Sequence, residues 1–292
     1  MDPRRLELLL ELSRLGSMRE VGEVMGVTTS TVSQQVAVLA REAGTPLVEP
    51  DGRRVRLTPA GRRLADHAVT ILAALDAARA DLDPSATPSG TLRVAAFATA
   101  VRRSLLPVVR SLGEGHRDVR LLVNEHEPAE SLARLASDDV DLALTYDYNL
   151  APATFDAAVQ AVPLWSTAWS LGVPAGSRRV RGDALAVFDG VRDQDWIVNS
   201  RNTADEDVVR TVASLAGFTP QVTHRVDSLD LVQDLIVAGL GVGLLPAGQP
   251  TVRGVSLREL TGPDVMLRAY AVTRRGWERW PPSALVLRLL TT

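Results

Sequence analysis

The 292-residue sequence predicts an N-terminal, all-α winged helix-turn-helix with a long linker helix, followed by a C-terminal α/β part made of two Rossmann-like lobes. Two short amphipathic helices before a basic ribbon predict the first, and alternating strand and helix patterns predict the second. The predicted segments are a winged helix at 1–58 with its helix-turn-helix at about 18–37, a linker helix at 59–82, a hinge at 83–90 and an α/β part at 91–292. Lobe I is expected at about 91–160 and 268–292, and lobe II at about 161–267.

The composition excludes several classes of protein. The chain has no cysteine, which rules out disulfides, thiolate metal sites, cysteine nucleophiles and thiol-based redox sensing. Its net charge of −3 argues against coating of nucleic acid by bulk charge and leaves room for a local basic patch. The N-terminal residues lack a secretory apolar core, and no later apolar run is long enough to cross a bilayer. We therefore expect a cytoplasmic protein with no membrane partner.

Three capped helices are predicted at the start of the chain. After a leucine-rich opening helix, Ser17 and Glu20 form a capping-box pattern that begins a second helix. This helix is expected to turn Val24 inward and to end at Gly26. Thr28 can then cap a third helix after a turn of only a few residues. Two short helices joined by a tight glycine turn are typical of a helix-turn-helix.

Small polar side chains cluster near the start of the third helix, where a recognition helix presents side chains to base edges. Glutamine can pair bidentately with adenine, and serine and threonine can reach any base. The alternative is a solvated polar helix face without any DNA contact. The candidate DNA-contacting residues of this helix are Thr28, Thr29, Ser30, Thr31, Ser33, Gln34 and Gln35.

Residues 46–58 predict a two-stranded ribbon that turns at Asp51 and Gly52. Three arginines lie beside this turn, and next to a helix-turn-helix they favour contact with a phosphate backbone or a minor groove. Taken alone, such a run is more often a solvated edge strand. The candidate wing residues are Arg53, Arg54 and Arg56.

A long helix is predicted to begin at the pair Thr58 and Pro59, an N-cap followed by a favourable first helical residue. Its apolar residues recur at spacings of three and four, which is typical of a coiled-coil seam. A self-paired dimer would place two recognition helices on symmetric half-sites. The alternative is packing against the effector part of the same chain. The candidate dimerisation residues are Leu64, Ala68, Ile71, Leu75 and Leu82.

Residues 1–82, and more loosely the whole chain, resemble a LysR-type transcriptional regulator. The matching stretches are LGSM at 15–18, VTTSTVSQQV at 27–36, LAREAGTPL at 39–47 and GRRVRLTPAG at 52–61. The resemblance places the residues from Thr28 to Gln35, with Arg53 and Arg54, where the family contacts DNA. It implies binding to double-stranded DNA at interrupted palindromic promoter sites. One departure is Gly22, which stands where the family usually has a helix-packing alanine.

The alternating strands and helices after residue 91, with crossings near 146–165 and 260–268, resemble the family's ligand-binding domains, which are of the periplasmic-binding-protein type. Ligands of such folds lie at strand ends and helix N-termini, where free amides favour anions. We therefore expect a small-molecule effector, with an anion as the first expectation, between the lobes. Each candidate alone is more often a simple helix cap. The candidate effector-binding residues are Thr99, Arg102, Thr145, Asn199, Ser200, Thr203 and Asp227.

Enzymatic activity is not expected, because no nucleophile, acid/base pair or cofactor motif stands out. We also expect no cofactor and no metal, since the four histidines show no paired ligand spacing. The expected function is a transcription regulator whose DNA binding an effector modulates through the lobe angle, acting as a dimer that pairs into a tetramer and can meet RNA polymerase. The alternative is a regulator that a protein partner controls, or that binds DNA independently of any ligand, and whose cleft is vestigial.

Overall fold

The computed structural model describes residues 1–51, 54–82, 87–201 and 203–292. The first part of the chain forms three short helices, a two-stranded antiparallel ribbon and one long helix. Their bounds are α1 Pro3–Leu15, α2 Met18–Met25, α3 Thr29–Ala43, β1 Val48–Asp51, β2 Arg54–Leu57 and α4 Pro59–Leu82. The predicted helix-turn-helix, ribbon and long helix therefore all form.

Local side-chain hydrogen bonds start these helices at the predicted residues. The Ser17 hydroxyl accepts a hydrogen bond from the Glu20 amide at 3.4 Å, and the Thr28 hydroxyl accepts one from the Thr31 amide at 3.1 Å. The Thr58 hydroxyl accepts from the Gly61 amide at 3.0 Å. Each cap satisfies an amide that the first helical turn leaves without a backbone partner.

The prediction that Val24 points inward is wrong, since its side chain is 64% exposed. In α2 the buried arc is centred between Val21 and Gly22, and Val24 lies outside it. Gly22 explains this rotation, because a Cβ added there would lie 2.7 Å from the Val27 carbonyl oxygen. Glycine thus permits the close turn between α2 and α3, at the position where the family usually carries alanine.

The α4 helix has two apolar faces, and the chain itself covers one of them. The covered face packs on α1 and on a 3₁₀ turn at Trp277–Arg279, and it consists of Ala65, Ala68, Val69, Leu72 and Ala73. Ile71 is 40% exposed and Leu82 is 86% exposed on the other face. The assignment of Ala68 to a dimer seam is therefore wrong for this structure, because its side chain is fully buried in the winged-helix core.

The α/β part alternates strands and helices as expected. The strands are β3 Gly90–Ala96, β4 Val119–Glu125, β5 Leu142–Tyr148, β6 Val159–Pro174, β7 Asp195–Val198, β8 Gln221–Arg225, β9 Val242–Pro246, β10 Val255–Arg258 and β11 Met266–Arg274. The helices are α5 Ala98–Ala100, α6 Leu106–Gly115, α7 Pro128–Ala136, α8 Ala184–Asp189, α9 Ala204–Leu215, α10 Leu229–Val237 and α11 Pro281–Thr291, with a π-helical turn at Val101–Leu105 between α5 and α6.

The strand β6 joins the two lobes. Its first part pairs antiparallel with β11 in lobe I, up to Ala168, and its last part pairs with β9 and β10 in lobe II. The order of strands is β4-β3-β5-β11-β6-β9-β7-β8, with β10 also on β6. The chain therefore passes into lobe II between Ala168 and Trp169, which is later than the predicted boundary at 160. Both lobes contribute to one large apolar core.

The winged helix rests on lobe I through polar and apolar contacts. Arg14 of α1 donates to Asp138 with a 2.8 Å hydrogen bond, and Arg93 and Arg274 also pair with the carboxylates of Asp138 and Asp141. Beside this cluster, Leu10, Val69 and Ala73 pack on Trp277. Among the described helices, none is long and apolar enough to cross a membrane.

Candidate functional site

The start of α3 presents a polar surface to solvent. The Thr29, Ser30, Ser33 and Gln34 side chains are exposed, whereas Val32 and Val36 on the opposite side are fully buried. The apolar side of α3 thus fixes the helix on the winged-helix core, and its polar side is free to enter a groove.

Four of the predicted contact residues, Thr28, Ser30, Thr31 and Gln35, already have side-chain partners within the chain. The Thr28 hydroxyl lies 2.8 Å from both the Ser30 and Thr31 hydroxyls and caps α3. The Gln35 side-chain oxygen accepts a 2.9 Å hydrogen bond from Arg5 and is half-buried. These side chains position the helix start, whereas Thr29, Ser33 and Gln34 are exposed and better placed to read base edges.

The wing residues differ in what the structure describes. The guanidinium of Arg56 pairs with Glu49 across the ribbon at 2.9 Å, and both side chains are exposed. Arg53 lies outside the described residues, as does the side chain of Arg54, whose backbone belongs to β2. Because Glu49 neutralises Arg56 in this state, a phosphate would have to compete for that guanidinium.

A cavity of about 670 Å³ lies between the two lobes. Its aromatic wall consists of Phe97, Tyr146, Trp165 and Trp169, and the rings of Phe97 and Tyr146 meet edge to face with their centroids 4.7 Å apart. A cavity of this size, with an aromatic wall and polar groups that face it, is typical of a small-molecule site.

Four of the seven predicted effector residues line this cavity, namely Thr99, Arg102, Asn199 and Asp227. Thr145 does not, because β5 continues past it to Tyr148 and side chains alternate along a strand. Tyr146 therefore reaches the cavity, while Thr145 is buried on the opposite side of the sheet.

Ser200 and Thr203 also lie outside the cavity lining. The amide and the hydroxyl of Ser200 both donate to the Asp227 carboxylate, at 2.8 and 2.7 Å, so Ser200 supports a cavity residue from behind. Thr203 is exposed before α9, whose first turn instead brings Asp205 to the cavity.

The cavity is richer in carboxylates than in guanidinium groups. Its described lining holds Arg102 and Arg103 against Glu125, Glu127, Asp205, Asp227 and Asp230. The N-terminus of α9, where an anion was expected, carries acidic residues of its own in the first turn. The acidic side chains of α9 therefore already occupy the favourable position that its N-terminal amides would offer to an anion.

Two of these carboxyl groups have strongly raised pKa values. Burial, together with the nearby charge of Asp205, raises the pKa of Glu127 to about 7, although its hydrogen bond from Tyr146 lowers it. Burial also raises the pKa of Asp205 to about 6. For Asp227, hydrogen bonds from Ser200 and Arg201 outweigh burial and lower the pKa.

Arg201 bridges the lobes at the edge of the cavity. Its guanidinium donates to Asp227 of lobe II at 2.7 Å and lies 3.7 Å from both Glu125 and Glu130 of lobe I. Contacts across the opening of a two-lobed domain change when the lobes rotate, so Arg201 is placed to respond to closure.

Comparison with known proteins assigns both parts of the chain. Residues 3–62 match the family model for the bacterial regulatory helix-turn-helix protein, lysR family, and residues 85–292 match the LysR substrate binding domain. The chain belongs to the LysR family. It is a DNA-binding transcriptional regulator with an effector-binding domain.

Individual relatives of this LysR-family regulator are distant. It is 32% identical over 229 residues to a probable hydrogen peroxide-inducible genes activator of Mycobacterium avium, covering 76% of this chain and 70% of that protein. It is 26% identical over 248 residues to the transcriptional dual regulator GltC of Bacillus subtilis, covering 84% and 81%. The solved structure of a full-length OxyR variant from Pseudomonas aeruginosa matches with a TM-score of 0.74 and 17% identity, covering 99% and 94%, which is a likeness of fold.

The sequence interpretation of this regulator missed the cavity residues Glu127, Tyr146, Trp165, Trp169 and Asp205. Trp165, Thr167 and Trp169 alternate along β6 and all line the cavity, a period-two signal that could have revealed both strand and site. In the described residues, no group of three or more His, Asp or Glu side chains could hold a metal ion. His126, whose acidic neighbours could suggest a metal, instead lies 3.4 Å from Glu130.

Proposed function

We propose that this regulator binds interrupted palindromic promoter DNA as a dimer, through α3 and the β1–β2 ribbon, and that a small molecule between the lobes modulates this binding. The observation that carries the DNA part is the exposed polar side of α3 above a buried apolar side. Because it acts on the chromosome, we propose a cytoplasmic protein that regulates and does not catalyse.

Base contacts are proposed for Thr29, Ser33 and Gln34, which are exposed on α3. Thr28, Ser30, Thr31 and Gln35 are proposed to hold the helix start, because their polar groups are engaged within the chain. Arg53, Arg54 and Arg56 are proposed to meet phosphates, with Arg56 exchanging Glu49 for DNA.

The uncovered face of α4 supports self-association. After the chain has buried one face of this helix, a second apolar face remains, formed by Ile71, Leu75, Ala78 and Leu82, whereas Leu64 packs on the winged-helix core. Unpaired apolar stripes on a long helix are stabilised by a second copy, and a two-fold dimer matches a palindromic site. Pairing of dimers into a tetramer and contact with RNA polymerase are further proposals.

Selection of genomic fragments by the purified protein, followed by footprinting, tests the DNA part. We expect a two-fold interrupted site, and we expect Gln34→Ala to relax the preference at one base pair per half-site, by about 1–3 kcal/mol. Gln194→Ala, another exposed glutamine in lobe II, serves as the matched control. Equal loss by Gln34→Ala on selected and scrambled DNA would exclude base readout by this side chain.

The open cavity with an aromatic wall supports effector control over a vestigial cleft. Calorimetry and footprinting with cavity-filling variants separate the two. Substitution of Ala98→Trp, at the cavity wall, should abolish ligand binding and fix the footprint in one form, whereas a vestigial cleft predicts no change in DNA binding with any metabolite.

A further inference from the structure

We propose that the effector of this regulator carries a protonated amine, held from opposite lobes by the carboxylates of Glu127 and Asp205, with aromatic rings around its hydrocarbon part. Glu127 lies between β4 and α7 of lobe I, and Asp205 lies in the first turn of α9 of lobe II. The inference rests on the proposed function, because it names the ligand class of the same cavity.

The first argument is an electrostatic imbalance. Glu127 is 5% exposed, and its carboxylate accepts a hydrogen bond from the neutral Tyr146 hydroxyl at 3.2 Å. The Oδ1 atom of Asp205 is shielded from solvent, and its neighbour, the Tyr148 hydroxyl, is neutral and supplies no counter-charge. Burying carboxylates costs free energy unless a cation or hydrogen bonds compensate for it. A ligand cation between the lobes would supply that compensation.

The second argument is that no arginine of the described chain forms an ion pair with either carboxylate. The Arg103 guanidinium packs over the Trp165 ring, 4.1 Å from its centroid, and both Arg102 and Arg103 are exposed. Arg201 is the nearest cation, but its close contact is with Asp227 at 2.7 Å. Within the described part of the chain, no ion pair is formed by Glu127 or Asp205.

The raised pKa values agree with this geometry. The charged and titratable groups facing Glu127 are Asp205, Asp227, Tyr146 and Arg201, and those facing Asp205 are Tyr148 and Asp227. Burial is the main cause of both raised pKa values and the neighbouring carboxylates add to it, so the ligand-free cavity holds protons near neutral pH. A bound ammonium group would reverse the balance, so its binding should release protons.

The third argument comes from the aromatic wall. Trp165, Trp169 and Tyr146 can pack on a hydrocarbon chain or an aromatic ring and attract a cation through their faces. Among the described residues, the buried indole N–H of Trp169 has no hydrogen-bond partner, while its residue lines the cavity. It can donate to an acceptor atom on the ligand. Two sources fit this chemistry, a simple amine and an α-amino acid whose carboxylate would meet Arg102.

A matched set of probes tests the proposal. Phenethylamine, L-phenylalanine and 3-phenylpropanoate share one ring and differ in charge, and butylamine, L-norleucine and hexanoate form the corresponding aliphatic set. Thermal shift and calorimetry with the full-length protein should show binding of an amine or a zwitterion at millimolar concentration. Preference for the simple amine identifies the first source, and preference for the amino acid identifies the second. Binding of the carboxylates alone, or of no amine, overturns the proposal.

Isosteric variants locate the ammonium group. Glu127→Gln and Asp205→Asn should each weaken binding of the preferred amine roughly tenfold or more, because each removes a charged partner. Asp234→Asn changes an exposed carboxylate of α10 outside the cavity lining and should change the affinity less than about twofold. Equal effects of all three variants would contradict the assignment. Melting without ligand verifies that each variant folds.

Proton release provides a readout that a purely structural role would not affect. Calorimetry in buffers of different ionisation enthalpy should show net release at about pH 6.5 and little release at about pH 8.5. Release that persists in Glu127→Gln combined with Asp205→Asn would contradict the proposal. Footprinting separates the two levels of inference. If an amine binds without changing DNA binding, the amine site is supported and effector control is excluded. If an anion binds and changes the footprint, effector control is supported and the amine site is excluded.

Discussion

Two groups of buried acidic side chains in this regulator have opposite surroundings. At the junction of the winged helix and lobe I, Asp138 and Asp141 meet the guanidinium groups of Arg14, Arg93 and Arg274. Burial alone would raise the pKa of Asp141, but the hydrogen bonds and charges of its arginines lower it. In the cleft, Glu127 and Asp205 have no such partner among the described residues, and their pKa values rise to about 7 and about 6.

The difference indicates which cluster is complete within the chain. Three arginines around two aspartates need nothing further, so the junction is suited to holding the two domains together. The cleft carboxylates share a cavity wall with aromatic rings and, among the described residues, form no ion pair. Carboxyl groups with strongly raised pKa values in a cavity mark a candidate ligand site, which agrees with the proposed amine.

The largest effect is expected from Asp141→Ala at the junction. The substitution leaves the guanidinium groups of Arg93 and Arg274 with one carboxylate fewer in a buried position, which should lower the free energy of unfolding by about 3–5 kcal/mol. Chemical denaturation measures this change. Asp139→Ala, an exposed neighbour, is the control and should cost less than about 1 kcal/mol. Similar losses for both variants would remove the contrast between the clusters.

Removing the charge of Glu127 in the cleft should stabilise the folded state, whereas removing the charge of Asp141 should destabilise it. The folded pKa of Glu127 is about 7 and its unperturbed value is 4.5, so the folded state binds the proton more tightly than the unfolded state. Stability therefore falls as pH rises from about 4.5 to 7, and Glu127→Gln removes that loss.

Denaturation of wild type and Glu127→Gln at about pH 5 and pH 8 measures this effect. The variant should gain up to about 3 kcal/mol relative to wild type at the higher pH and little at the lower one. Asp230→Asn should show no such pH dependence, because Asp230 is exposed. A loss of stability in Glu127→Gln at pH 8 would mean that the carboxylate is already compensated within the chain.

The smallest effect on stability is expected from Arg201→Ala. Its contacts to lobe I are 3.7 Å long and partly exposed, so their loss should cost at most about 1 kcal/mol. Its loss should nevertheless alter lobe closure, which small-angle scattering with and without a bound amine can follow. A large drop in melting temperature would instead mean that Arg201 stabilises the fold, as the arginines of the junction do.

Local signals explain why the winged helix was predicted well. Ser17, Thr28 and Thr58 start their helices through hydrogen bonds to residues three positions along the chain, and such caps can be read from the sequence. Val24 was misplaced because the close approach of Gly22 to Val27 sets the rotation of α2. This close contact depends on the geometry of the turn, so the hydrophobic periodicity of the sequence does not reveal it.

The cleft depends on long-range pairing, which explains its partial prediction. Thr99, Arg102, Asn199 and Asp227 followed from the rule that ligands lie at strand ends and helix starts. Thr145 is wrong because β5 continues to Tyr148, and neighbouring side chains in a strand point to opposite faces. Asp205 belongs to an acidic helix start that the helix dipole alone can explain, and only the fold brings it into the same cavity as Glu127.

The most direct test of the account is a footprint of the selected promoter fragment, with and without the amine that gives the largest thermal shift. The account predicts a two-fold interrupted footprint whose extent or affinity changes when the amine is bound, and predicts that Glu127→Gln weakens this response while DNA binding without amine is retained. An identical footprint and affinity in both conditions would contradict control of DNA binding through the cleft.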